Sequence, residues 1–165
     1  MKTIAIGFSR PKKFMILSWF IRKIQHTDYS HVYIKFTSDK YKRNLIYQAS
    51  GLQVNFVGEQ VFADHCEVVK ECQLQVSDEI YHKMMTFAID KAGYPYSLKQ
   101  LFNIVIYTWT GKAHVLGSGR SAYVCSELAG EMLKTILNVS ISEDLDIITP
   151  KDVDDALHEA GLWQD

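Results

Sequence analysis

The sequence lacks the marks of several large protein classes before any motif is considered. No apolar run is long enough to cross a bilayer. The one candidate, Phe14 to Ile21 behind Lys12-Lys13, runs straight into Arg22-Lys23 with no small-residue cleavage site. It is therefore neither a membrane span nor a signal peptide and reads as a core helix. With no other such segment, a cytoplasmic location without integral membrane association is expected. There is no charge surplus either: 18 Lys and Arg face 19 Asp and Glu, for a net charge of -1. Basic residues gather only at Lys12-Lys13 and between Lys40 and Arg43, which argues against nucleic acid as a partner. Cysteine is scarce and odd in number. Cys66, Cys72 and Cys125 match no zinc-ligand spacing and form no disulfide framework, so no metal or other cofactor is expected, and a reducing compartment is the simpler home. Repeats, low-complexity segments and linkers are also lacking. The 165 residues, 47% hydrophobic and 22% charged, suffice for a single domain over 1–165 with a core that needs no staples.

What is present is organised around one cysteine. From Cys125 the apolar residues Leu128, Ala129, Met132, Leu133 and Ile136 fall at helical spacing, which puts Cys125 in the first turn on the buried stripe. N–H groups without intrahelical acceptors point at a side chain in that position, and the macrodipole favours its anion. A thiol so placed has a lowered pKa and can serve as a nucleophile. The alternative is a buried cysteine acting as a small hydrophobe. Glu127 and Glu131 fall on the other face with Lys134 and read as solvated charges.

Along the chain, Thr3 to Phe8 suits a first strand, and Pro11 is expected to open a helix with Phe14, Leu17, Ile21 and Ile24 on one stripe, ending near His26. In Asp28 to Phe36, Val32, Ile34 and Phe36 alternate with His31, Tyr33 and Lys35, a half-buried strand with a histidine at its start. A basic turn from Asp39 to Asn44 leads to strands at Leu45–Ala49, Gln53–Val57 and Cys66–Val76, whose tight connections imply an antiparallel sheet. The second half is mostly helical. Ser77 caps a helix carrying Ile80, Met84, Phe87 and Ala88 inward and stopping at Gly93; Leu98 to Trp109 repeats at helical spacing and reads as core. A loop with Gly111, Gly117 and Gly119 delivers the chain to Cys125, and Thr149-Pro-Lys-Asp152 has capping-box spacing for a last helix to about Ala160.

A cysteine nucleophile needs a base, and histidine is suited by its pKa. Of six histidines, His26, His82, His114 and His158 read as solvated. His65 adjoins Cys66 in a turn, where a metal role would need two more ligands. His31 differs: it starts a strand, on the face opposite Val32 and Ile34, beside small Ser30. It is either a satisfied structural residue or the base. Gln48, on the next strand and on the face opposite Tyr47, is placed to accept the Nδ1–H of His31 and fix the ring tautomer.

Three pieces in order, Tyr29-Ser-His-Val-Tyr-Ile34, Ile46-Tyr-Gln-Ala-Ser-Gly51 and Tyr123-Val-Cys-Ser-Glu-Leu128, resemble the circularly permuted NlpC-type papain-like cysteine hydrolases, the YiiX-like amidases. In that group the histidine strand precedes the cysteine helix, as His31 precedes Cys125. The Gly93-Tyr-Pro-Tyr96 turn and Thr149-Pro150 also look like that family, so the resemblance runs from Thr3 to about Leu157.

The resemblance implies an α+β, permuted papain-like fold, a small antiparallel sheet packed against several helices. It makes Cys125 the nucleophile, His31 the general base and Gln48 the orienting residue, with Tyr96 and Tyr123 placed to touch substrate. The family often has a carboxylate where this chain has Gln48. The implied activity is hydrolysis of an amide or peptide bond through an acyl-enzyme, in a protein of the bacterial or phage kind, with a peptide, amide or acyl substrate as partner. An acyltransferase or lipid or thioester hydrolase on the same fold, and a non-catalytic binding module, are the alternatives.

Overall fold

The structure is a computed structural model that describes residues 1–38, 42–113, 122–142 and 144–163. Part of the basic turn expected from Asp39 to Asn44, and His114, Gly117 and Gly119 of the glycine loop, lie outside the described residues.

Alternating apolar residues build five strands, β1 (Lys2–Pro11), β2 (His31–Ser38), β3 (Arg43–Ser50), β4 (Gln53–Gly58) and β5 (Cys66–Val76). They form one antiparallel sheet in the order β4-β3-β2-β1-β5. Because side chains alternate across a strand, Ile4, Ile6, Phe8, Val32, Ile34, Phe36, Tyr47 and Leu74 share one face and form the main core. Three helices cover that face: α3 (Asp78–Lys91), α5 (Cys125–Ile136) and α6 (Pro150–Glu159). Their starts are set locally. Ser77 accepts the Ile80 N–H, and Thr149 forms a reciprocal capping box with Asp152, with Pro150 in the first turn.

The other face carries a smaller cluster, Tyr33 and Ile46 under Phe62 of α2 (Glu59–His65). Tyr33 lies directly over Gly7, where a Cβ would stand 2.1 Å from the Tyr33 ring. Only glycine lets that ring cross β1, and its hydroxyl then donates to Glu71 Oε1 at 2.6 Å. A third cluster joins α1 (Ile16–Gln25) to α4 (Leu98–Thr110) through Ile21, Leu101, Ile104 and Val124.

The sheet, α3, α5 and α6 match the α+β layout expected, and Cys125 opens its helix as the apolar spacing requires. Four expectations are corrected. Pro11 does not open a helix; it closes β1 opposite Cys66, and the next residue, Lys12, donates its N–H to His65 O at 2.9 Å. A strand end tolerates proline, and pairing with β5 carries the chain on before α1 begins at Ile16. Phe14 is then not on a buried stripe but 75% exposed. Likewise α4 is core only through Leu101 and Ile104, while Leu98, Phe102 and Trp109 stand 60%, 52% and 76% exposed. Periodicity finds the helix but does not say which side is covered. The short α2, which places His65 at a helix end rather than in a turn, has no sequence signal beyond Glu59 in its first turn.

Candidate active site

Cys125 is the first residue of α5, behind an extended Val124 that offers no side-chain cap. The free first-turn donors are therefore available to the cysteine. Leu128, Ala129, Met132 and Leu133 anchor the helix in the core, and the Ser126 hydroxyl donates to Ile148 O at 2.7 Å, fixing the first turn from the other side. The thiol itself is buried, 7% exposed. Two backbone N–H groups donate to its sulfur, that of Ser126 in the same turn and that of Val32 on β2. Val32 pairs with Phe8 of β1 but lies ahead of the β2–β3 ladder, which begins at Ile34 opposite Tyr47. The sheet opens where the helix end meets it.

His31 opens β2, as the alternation requires. Its Nε2 lies 2.8 Å from Oε1 of Gln48, a buried residue of β3. A carbonyl oxygen carries no proton, so Nε2–H is the donor and Nδ1 is left for Cys125. Sequence reasoning paired the right residues through the wrong nitrogen, having Gln48 accept from Nδ1. Continued from Ile34 opposite Tyr47, the register sets Gln48 across from Tyr33, two residues along from His31, and the far ring nitrogen covers that diagonal.

Each member of the pair shifts the other. Burial is the largest influence on Cys125 and disfavours its thiolate. It is outweighed by the His31 charge, the His31 hydrogen bond and the two N–H donors, and the thiol pKa falls below its ordinary value. For His31, burial again opposes the charged form, and the Cys125 charge with hydrogen bonds to Cys125 and Gln48 overcomes it, raising the imidazole above its ordinary value. The two shifts favour one state, thiolate beside imidazolium.

The pair adjoins a cleft of about 430 Å³ lined by His31, Tyr96, Leu17, Ile21 and Leu101, with Ser18 and Ser30 in its wall. The two serine hydroxyls are 2.6 Å apart. Tyr96 stands close enough to Cys125 that burial and the cysteine's negative charge both raise its phenol pKa. Tyr123 is placed differently. It is buried, its hydroxyl meets Lys91 Nζ, and it is not among the cleft-lining residues.

Sequence reasoning missed Glu127. Read as solvated, it is instead half-buried two residues past the nucleophile position, with its pKa pushed up to about 7. Burial is the main cause, opposed by the Gln100 amide of α4 and assisted by Asp146. Spacing on α5 puts Glu127 off the apolar stripe, and nothing in the sequence shows that α4 covers it.

No protein-family model and no curated protein matches the sequence. Solved structures do match; among them is a crystal structure titled metalloprotein yiiX, from Escherichia coli O157:H7, which superposes over 93% of this chain and 91% of its own with a TM-score of 0.63 and 17% identity. The two chains share a fold. The likeness to YiiX fits a papain-like α+β fold; in this chain the strand of His31 precedes the helix of Cys125. The word metalloprotein belongs to YiiX. Among the described residues here, no group of three or more His, Cys, Asp or Glu side chains is placed to hold a metal ion. Nor is any helix among them long and apolar enough to cross a membrane.

Proposed function

We propose that this protein is a cysteine hydrolase acting on an amide or peptide carbonyl. The observation that carries the reading is the Cys125–His31–Gln48 arrangement at the cleft, in which each pKa shift favours the thiolate–imidazolium pair. Cys125 Sγ attacks the substrate carbonyl carbon, forming a C–S bond as the C=O pair moves onto oxygen. The Cys125 N–H, a first-turn donor, stabilises that oxyanion. The imidazolium then gives its Nδ1 proton to the leaving amine as the C–N bond breaks. Water, losing its proton to the now neutral Nδ1, attacks the acyl carbon; the C–S bond breaks, the acid is released and the thiolate–imidazolium pair is restored. Gln48 keeps Nε2 protonated throughout, so that Nδ1 is the nitrogen that exchanges protons. An amide in place of a carboxylate holds the ring but adds no charge to stabilise the imidazolium.

The apolar side of the cleft, Leu17, Ile21 and Leu101, favours a second reading in which the acyl group is a hydrocarbon chain and the enzyme a lipid or thioester hydrolase or an acyltransferase. Both readings pass through an acyl-enzyme. Intact-protein mass spectrometry after mixing with p-nitrophenyl acetate and p-nitrophenyl decanoate should find one acyl adduct on Cys125, absent in Cys125→Ser and in His31→Ala. A dominant decanoyl adduct would select the second reading. Adducts spread equally over Cys66, Cys72 and Cys125 would overturn both and leave a binding module.

A further inference from the structure

The near-zero net charge conceals a segregation. None of the 19 acidic residues lies in 1–27 or 91–126, whereas ten of the 18 lysines and arginines do. Those two segments contain α1 and α4, which pack on each other through Leu17, Ile21, Leu101 and Val105. On the outer side of α4, Leu98, Phe102 and Trp109 follow one another at helical spacing with half-buried Val105 between, all three exposed. At the start of α1, Phe14, Met15, Ile16 and Trp19 are 75%, 55%, 74% and 43% exposed. Lys12, Lys13, Lys23, Lys99 and Lys112 are exposed on the same two segments. The acids that adjoin them come from other segments: Asp28, which shares a pocket with Trp19, Arg22 and Lys23; Asp146, on a 3-10 turn (Leu145–Ile147) that packs on α4; Asp64, across the cleft from Lys12 and Lys13; and Glu67, whose charge is engaged by Arg10 at 2.8 Å and is felt by Lys12 and Arg22.

Exposed aromatic and aliphatic residues interleaved with lysines, on two segments that carry no acid of their own, match the chemistry of a bilayer interface: apolar side chains for the acyl boundary and cations for lipid phosphates. A second copy is a poor occupant, because two such surfaces repel. Lys12, Lys13 and Met15 also line the cleft that holds His31, so the cleft opens at the margin of this surface.

We propose that the outer side of the α1–α4 pair docks the protein on an anionic phospholipid bilayer, through Phe14, Trp19, Phe102 and Trp109 with Lys12 and Lys13. Docking of this kind needs no turnover and does not rest on the hydrolase reading. The test is flotation of the full chain with phosphatidylcholine vesicles, with and without about 30% phosphatidylglycerol. The wild type should float with the anionic vesicles about tenfold more than with the neutral ones, less so in high salt. Phe14→Ser with Trp109→Ser, and separately Lys12→Glu with Lys13→Glu, should each lower binding about tenfold while melting like the wild type. Absence of flotation with anionic vesicles, or retention in both variants, overturns the proposal. So does concentration-dependent self-association in sedimentation, without vesicle binding, that the Phe14/Trp109 variant abolishes.

Discussion

Replacing His31 with alanine isolates what the histidine does for the thiol. Cys125 is subject to two opposed influences, burial, which favours the neutral thiol, and the His31 charge and hydrogen bond, which favour the thiolate. In His31→Ala the burial cost stays and the largest favourable influence goes. An opposite charge in contact with an ionisable group is worth about 1.5–4 kcal/mol. At a pH below the thiol pKa, its loss cuts the thiolate population about 10- to 1,000-fold. A more basic thiolate is a better nucleophile, which recovers roughly half of that on a logarithmic scale. The expected net fall in alkylation rate is therefore about 3- to 30-fold, with the midpoint of the rate–pH curve moved upward. Iodoacetamide labelling against pH, followed by mass spectrometry at each cysteine, measures this with Cys66 and Cys72 as internal references, since burial raises both of their pKa values. In the wild type Cys125 should react at lower pH than either. If its rate–pH curve were the same with and without His31, the two shifts would not be mutual, and the thiolate–imidazolium pair would have no physical basis.

Two further predictions concern stability. Glu127 has a folded-state pKa raised from 4.5 to about 7, so the native state holds its proton more tightly across that window. Stability should therefore fall as pH rises from about 4.5 to 7 and level off above. The full linkage equivalent is about 3 kcal/mol, which partial exposure reduces to about 1–2 kcal/mol. Urea unfolding of Glu127→Gln at pH 8 should show that gain and a flatter profile between pH 5 and 7, whereas an unchanged profile would mean that Glu127 is solvated. Gly7→Ala would drive a methyl to 2.1 Å from the buried Tyr33 ring. Displacing that ring from Phe62, 4.6 Å away between centroids, and from Glu71 should cost about 2–4 kcal/mol, read as a lowered urea midpoint. A cost below about 1 kcal/mol would show that the two strands part without strain.

Much of the fold was legible because its signals are local. Alternation at Val32, Ile34 and Phe36 marked β2, while Ser77 and the Thr149–Asp152 box marked the starts of α3 and α6. The apolar stripe behind Cys125 marked the start of α5. The candidate site was legible in part, since a histidine at a strand start and a glutamine on the next strand are fixed to one face by the period of two. Where signals compete, the sequence misled. Pro11 suits a helix start, yet it ends β1 because pairing with β5, which is not local, continues through it.

By itself the sequence determined which residues share a face of each element, because backbone period is a property of neighbours along the chain. It therefore nominated Cys125, His31 and Gln48. Only the tertiary structure decided which ring nitrogen meets Gln48 and that the Val32 N–H favours the Cys125 thiolate. The same holds for Glu127, which is sheltered by α4, and for Phe14 and Trp109, which are left outside. Each of these depends on how far one element slides or tilts against another, and that is set by packing across the core rather than by any residue's neighbours in the chain.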